Sequence, residues 1–310
     1  MNSIQNFSAL VDHLKANEKK LRIAVVCGSD ESTLTAVERA LSEGFAEVIF
    51  SGHTERIQQR ESLAQYADLI TYVVPTGETD ADAAKDAVQL VRNGEADILM
   101  KGLVNTDVLL RAVLNKEEGL LPRGKVLTHV TLAQLPQLDH LLFFTDVAVM
   151  PYPTQEQRAA QIEYTTALCH AMGIECPKIS LIHCSEKVSD KFPHTVGYAE
   201  LKERAAAGEW GKCIVDGPLD VRTSLDAETL HTKGIVSPLE GKADVLVFPD
   251  IEAGNAFYKT ITLLCGGDVA GMLCGTVCPV VLPSRGDSAS DKFYSLAFAA
   301  IGCGVQQNLT

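Results

Sequence analysis

No uninterrupted apolar stretch approaches the ~18 residues that a membrane-spanning helix needs. The opening residues, MNSIQNFSALVDHLK, lack the apolar core of a secretory leader. There is no Lys/Arg-rich run, and 27 basic residues face 40 acidic ones, for a net charge of -13. A partner of phosphate polymers normally shows a basic face, so nucleic acid is excluded as the main partner. Aromatics are scarce at 6%, yet the 46% hydrophobic content is too high for a disordered chain. No GxGxxG follows a strand-like run, so the dinucleotide fingerprint is missing. GLLPRGKV, Gly119 to Val126, imitates a phosphate-binding P-loop until Val126 stands where Ser or Thr must meet magnesium. No GxSxG nucleophile elbow occurs. The nine cysteines are odd in number, and Cys27, Cys184 and Cys213 sit in apolar runs. Cys265, Cys274 and Cys278 have neither a second pair nor a histidine at zinc spacing. Reduced thiols in a soluble cytoplasmic protein are expected, with no metal and no membrane contact.

What is present is alternation, over a length of 310 residues that suits about two domains. Short apolar runs predict strands at Arg22–Cys27, Glu47–Ser51, Leu69–Val74, Asp97–Met100, His140–Met150, Lys178–His183, Lys212–Asp216, Asp244–Phe248 and Pro279–Pro283. Amphipathic stretches between them predict helices at Ser32–Glu43, Asp80–Arg92, Thr106–Asn115, Thr154–Met172, Tyr198–Ala207, Ala253–Cys265 and Ser290–Ile301. This is the pattern of βαβ units with mostly parallel strands buried on both faces. Thr154 with Gln157 forms a capping-box pattern, and Asn105 or Thr106 can cap the next helix. Pro136 interrupts the alternation, which sets a domain border between residues 136 and 137.

Ligands of open α/β sheets bind beyond the carboxyl ends of strands, and three segments place polar residues there. In the first, Met100 to Leu120, Lys101, Asn105 and Thr106 lead into a helix whose free N–H groups can hold an anion, with Arg111 further along. In the second, Phe248 to Lys259, Asp250, Glu252, Asn255 and Lys259 crowd one strand end. In the third, Pro279 to Tyr294, a strand runs into Ser284, Arg285, Gly286, Asp287 and Ser288, with Asp291 on the next helix. Arginine offers a planar fork for phosphate oxygens, and a hydroxyl with loop N–H groups makes an oxyanion site. Read structurally instead, each segment is an ordinary capped turn with solvated charges.

These segments carry a resemblance. MKGLVNTDVLLRAVL, GKVLTHV (Gly124 to Val130), FFTDVAV (Phe143 to Val149), KCIVDGPLDV (Lys212 to Val221), KADVLVFPDIEAGN (Lys242 to Asn255) and VVLPSRGDS (Val280 to Ser288) occur in the order of the phosphate acetyl/butyryltransferase family, which the chain resembles from about Arg22 to Ala300. The resemblance is closest to the butyryl branch. It implies two three-layer α/β domains of isocitrate/isopropylmalate dehydrogenase-like fold, with an active-site cleft between them. The chain would return to its first domain at the C-terminus, giving 1–136 plus 277–310 and 137–276. It implies homodimers or higher homo-oligomers, no tightly bound cofactor, and coenzyme A or acyl-coenzyme A with phosphate or acyl phosphate as substrates. Ser284 and Arg285 match the residues that hold the anionic end, Asp291 the thiol base, and Arg111 a coenzyme A contact. Lys101, Asn105, Thr106, His129, Asp250, Asn255, Lys259 and Ser288 complete the expected substrate-binding set. Pro151-Tyr152-Pro153 departs from the family's usual turn.

The implied reaction moves a short acyl group, butyryl in the first place, between coenzyme A and inorganic phosphate. A free alkyl thiol has a pKa near ~8.5, so a base helps at neutral pH. Acetyl transfer is the near alternative. A metal- and NAD(P)-dependent hydroxy-acid dehydrogenase of the same fold, and a regulatory module without activity, are more distant ones.

Overall fold

The computed structural model describes residues 3–17, 19–74 and 76–309. Helix α1 (Phe7–Lys15) buries Phe7, Leu10, Val11 and Leu14, the spacing of one helical face. Strand β1 (Leu21–Val26) follows, with four consecutive residues buried, so both its faces are covered. Helix α2 (Glu31–Ser42) starts on Asp30, whose carboxylate accepts from the Thr33 amide. Next come β2 (Ala46–Ser51), the short α3 (Glu55–Gln58), a 3-10 turn and β3 (Ile70–Tyr72). Helix α4 (Asp80–Arg92) opens with a Thr79–Asp82 capping box. It leads to β4 (Ile98–Lys101) and α5 (Thr106–Val113).

A second compact unit begins at Thr128 and runs to Asp268. It contains β5 (Thr128–Gln134), β6 (Leu142–Thr145), α6 (Gln155–Ala171), β7 (Lys178–Ile182), α7 (Pro193–Ala206), β8 (Ile214–Leu219), α8 (Val221–Leu225), α9 (Ala227–Thr232), β9 (Val245–Val247) and α10 (Ile251–Leu264). Its strand order is β5-β6-β9-β7-β8, parallel except for β5 with β6. From Val269 the chain rejoins the first unit. There it forms β10 (Asp268–Cys274), β11 (Val280–Val281) and the long α11 (Ala289–Leu309). The first unit's order is β3-β2-β1-β4-β11-β10, parallel throughout except that β10 runs antiparallel to β11. Helices α2 and α11 pack on each other, and α4 packs on α5.

The units part at residues 127/128 and 268/269, earlier in both places than the expected 136/137 and 276/277, and residues 3–6 go with the second unit rather than the first. At each border stands a strand that the apolar pattern does not announce. β5 carries Thr128, His129 and Thr131 as buried polar residues, and β10 carries a glycine at its centre. The expected strand His140–Met150 shrinks to Leu142–Thr145 because Asp146 turns the chain. Its carboxylate accepts from the amides of Ala148 and Val149 at 2.7 and 3.0 Å. The expected strand Pro279–Pro283 keeps only Val280–Val281, since proline at either end has no N–H for the ladder. No helix among the described residues is long and apolar enough to cross a membrane.

Candidate active site

The first unit gathers most of the expected residues at the carboxyl ends of its strands. β4 ends on Lys101, which is 3% exposed. Its ammonium donates only to the carbonyls of Gly102 and Pro283, at 3.1 and 3.4 Å. Among the described residues no carboxylate lies within ion-pair distance of it. Burial holds its pKa below the ordinary lysine value, and the nearby charges of Lys292 and Arg285 act the same way. Gly102 is needed at the next position: a Cβ there would come within 2.4 Å of the Cys27 carbonyl oxygen. That close approach sets the loop leading to α5.

Asn105 stands at the N-cap of α5, but its side chain does not cap the helix. Its Oδ1 instead accepts from Arg285 Nη2 at 2.5 Å. Among the described residues no side chain caps α5, which begins at Thr106, and this helix end favours an anion. Arg111 lies on the same helix, 81% exposed, paired only with Asp107 at 3.5 Å.

Ser284 and Arg285 occupy an exposed turn after β11. The Ser284 amide donates to Asp287 Oδ2 at 2.7 Å, and the Asp287 amide donates back to the Ser284 carbonyl at 3.2 Å. Ser288 and Asp291 form a reciprocal cap on α11. Asp291 Oδ2 accepts from the Ser288 amide and hydroxyl at 3.1 and 2.7 Å, and the Asp291 amide donates to Ser288 Oγ at 3.0 Å. The other oxygen, Oδ1, accepts from the Val269 amide at 3.1 Å. The expected base thus holds a strand to a helix as well.

A pocket of about 470 Å³ opens beside this turn, lined among others by Lys101, Gly102, Ser284 and Arg285. Its remaining wall includes residues that sequence reasoning missed: Asp30, Ser32 and Lys292. Lys292 is 4% exposed, and its ammonium reaches Asp30 Oδ1 at 3.0 Å, Ser32 Oγ at 2.8 Å and Thr33 Oγ1 at 3.0 Å. Burial pushes the Asp30 carboxyl up. The hydrogen bonds from Thr33, Lys292 and Ser32 outweigh that and hold it at about 2. The overlooked signal was CGSDEST, Cys27 to Thr33, a strand end running through a polar turn into a helix like the other three segments.

The other expected residues belong to the second unit. His129 is 6% exposed on β5, its Nδ1 3.2 Å from the Thr131 hydroxyl. Its amide and the Thr128 hydroxyl both donate to Asp146 Oδ2, at 2.7 and 2.8 Å. His129 is therefore part of a buried polar lattice around the FFTDV strand. Asp250 caps α10, accepting from the Ala253 amide at 2.8 Å. Asn255 donates to the Val147 carbonyl at 3.0 Å. Gly254 lies between them, where a Cβ would fall 2.1 Å from the Asp146 carbonyl oxygen. Lys259 lies over the Tyr258 ring, 4.7 Å from its centroid. In the turn that departs from the family, Tyr152 donates its hydroxyl to Glu252 at 2.7 Å.

Residues 76–300 match the phosphate acetyl/butaryl transferase family. The chain is 38% identical to a phosphate butyryltransferase of Clostridium acetobutylicum, over 97% of this chain and 99% of the relative. It is 35% identical to a phosphate acetyltransferase of Thermotoga maritima, over 94% and 98%. A crystal structure of a branched-chain phosphotransacylase from Enterococcus faecalis V583 superposes with a TM-score of 0.79 at 33% identity, covering 91% of this chain and 99% of that one. The chain belongs to the phosphate acetyl/butaryl transferase family. It is a mixed α/β transferase of the phosphotransacylase type.

Proposed function

We propose that this protein transfers a short acyl group between coenzyme A and inorganic phosphate, with butyryl the preferred chain. The observation that carries the reading is Lys101. Among the described residues its buried ammonium donates to carbonyls and touches no carboxylate, Asp30 and Asp287 acting on it only at longer range, and it lines a pocket with Ser284 and Arg285. Phosphate or the phosphoryl end of an acyl phosphate supplies a contacting negative charge. The Arg285 fork and the open end of α5 add directional donors. Arg111, exposed on α5, suits the phosphates of coenzyme A. Identity to a phosphate butyryltransferase supports the four-carbon chain, and a relative named phosphate acetyltransferase keeps acetyl as the second reading. The protein works as a cytoplasmic homodimer on this reading, and Leu263 and Leu264, 81% and 76% exposed, offer apolar surface for a second copy.

In the forward chemistry Asp291 takes the proton of the coenzyme A thiol. The thiolate sulfur bonds to the acyl-phosphate carbonyl carbon, and Ser284 with neighbouring amides receives the oxyanion. The intermediate collapses by breaking the carbon–oxygen bond to phosphate, which leaves toward Arg285 and Lys101. Both substrates react directly, and alignment alone can contribute several kcal/mol.

The test is phosphate-dependent release of free thiol from acetyl-, propionyl-, butyryl- and valeryl-coenzyme A, with wild-type protein and Asp291→Asn. Turnover should peak at butyryl. The variant should lose at least about 100-fold in kcat with little change in KM, the scale of general-base catalysis. No phosphate-dependent thiol release with any chain sinks the reading. Wild-type turnover in Asp291→Asn sinks the base assignment alone.

A further inference from the structure

Cys27, His53 and Asp80 lie outside the pocket described above, and three separate elements deliver them. Cys27 follows β1 and His53 follows β2, two neighbouring parallel strands, and Asp80 is the first residue of α4. Cys27 Sγ lies 3.6 Å from Asp80 Oδ1, and His53 Nε2 lies 2.9 Å from the same oxygen. One ligand atom from each residue falls within 4.8 Å of the others. Bonds of about 2.0–2.3 Å in a tetrahedron put ligand atoms roughly 3.3–3.8 Å apart. The pair at 2.9 Å lies just under that spacing and the pair at 3.6 Å within it, so small side-chain shifts bring the three donors to one cation.

The backbone is shaped for this meeting. Cys27 and His53 both adopt left-handed conformations, with φ of 51° and 52°, which few non-glycine residues do. Gly52, at φ 78°, passes so close that a Cβ would stand 3.1 Å from Cys27 Sγ. The thiol is buried while His53 and Asp80 are half open to solvent, so the three groups have one dry wall and one route of entry. Without a cation, burial and then Asp80 push the thiol up to about 12. It is neutral and no nucleophile at pH 7, so a reactive-cysteine reading has no support.

We propose that Cys27, His53 and Asp80 bind one zinc ion, with a water molecule in the fourth position. Sulfur, imidazole nitrogen and carboxylate oxygen are zinc's ligand types, and three protein ligands plus water is a common open arrangement. On binding, the Cys27 S–H bond breaks, its proton leaves to solvent, and a zinc–thiolate bond forms with no change of oxidation state. The Cys27 carbonyl accepts from the Leu103 amide at 2.9 Å. The zinc-bound residue is therefore tied to the loop between Lys101 and Asn105.

The test titrates chelator-stripped, reduced protein with Co²⁺ as the spectroscopic probe, and with Zn²⁺ against a chromophoric chelator. One equivalent should bind, with a thiolate-to-cobalt charge-transfer band in the ultraviolet. The band should vanish in Cys27→Ser and stay in Cys184→Ser, which removes an exposed cysteine elsewhere. His53→Ala and Asp80→Asn alter exposed side chains and keep the test decisive if Cys27→Ser folds poorly. Each should weaken zinc by more than the about 10–100-fold that losing an outer-shell partner costs. No bound equivalent in the wild type, a charge-transfer band that persists in Cys27→Ser, or unchanged affinity in His53→Ala overturns the proposal.

Discussion

Two lysines of the same unit are buried almost equally, Lys101 at 3% and Lys292 at 4% exposure, and the chain treats them in opposite ways. Lys292 has a carboxylate and two hydroxyls within 3.0 Å. Lys101 has two backbone carbonyls. In the first arrangement the charge is matched and α11 is tied to the start of α2, although Asp30 Oδ2 is buried without a hydrogen-bond partner among the described residues. The second has no carboxylate in contact among the described residues, Asp30 and Asp287 acting on it only at longer range. Burying an ammonium without a counter-ion costs free energy, so such a group is worth keeping where a ligand supplies the anion. The net charge of -13 gains meaning from this pair. The surface excess of acid disfavours polymers, while on the proposed reading one buried cation serves a single phosphate.

The contrast is broken or sharpened by removing one member at a time. Asp30→Asn should have the largest effect. Asparagine still caps α2, so the change isolates the charge, and an unpaired buried Lys292 should lower unfolding stability by about 3–5 kcal/mol. Urea unfolding measures it, and Lys292→Met in the same background should recover part of the loss, because the two sites couple. Lys101→Met comes next and acts on the other axis. It should leave stability unchanged or slightly higher, and lower phosphate-dependent turnover on the order of 100-fold, about 3 kcal/mol. If Lys101→Met destabilises the fold as much as Asp30→Asn, both lysines are structural and the contrast fails.

The two halves of that comparison were unequally legible. Lys101 stands in a run, strand then polar turn then helix, that reads directly as a ligand end, and Asn105, Ser284 and Arg285 follow from the same rule. Lys292 reads as the residue after Asp291 and nothing more, because its partner Asp30 is 262 positions away. Side-chain pairing at that range leaves no periodicity. The same physics hid β5: Thr128 and His129 look unlike a buried strand until Asp146, just after the neighbouring β6, is seen accepting from both. Strands packed by apolar contact, such as β1 and β4, were plain, and so was the Thr154 capping box of α6. Helix α1 was not predicted, although Phe7, Leu10, Val11 and Leu14 stand at the spacing of one helical face.

The smallest expected effect is the acid response of the completed pair. Asp30 is held at about 2 in the folded protein, against roughly 3.9 for an unfolded aspartate. A depressed carboxyl stabilises the fold fully above its unfolded value, and the contribution fades as pH falls through the folded one. The window is therefore about pH 4 down to about pH 2, and the amount lost is on the order of 2 kcal/mol. Other carboxylates titrate there as well, so the useful quantity is the difference between wild type and Asp30→Asn, which lacks the titrating group. Urea unfolding of both proteins at pH 6, 4, 3 and 2 should show a gap that is constant above pH 4 and narrows below it. A gap that stays constant to pH 2 would mean that Lys292 draws its stability from Ser32 and Thr33 rather than from the Asp30 charge. The two lysines would then differ in neighbours but not in electrostatics.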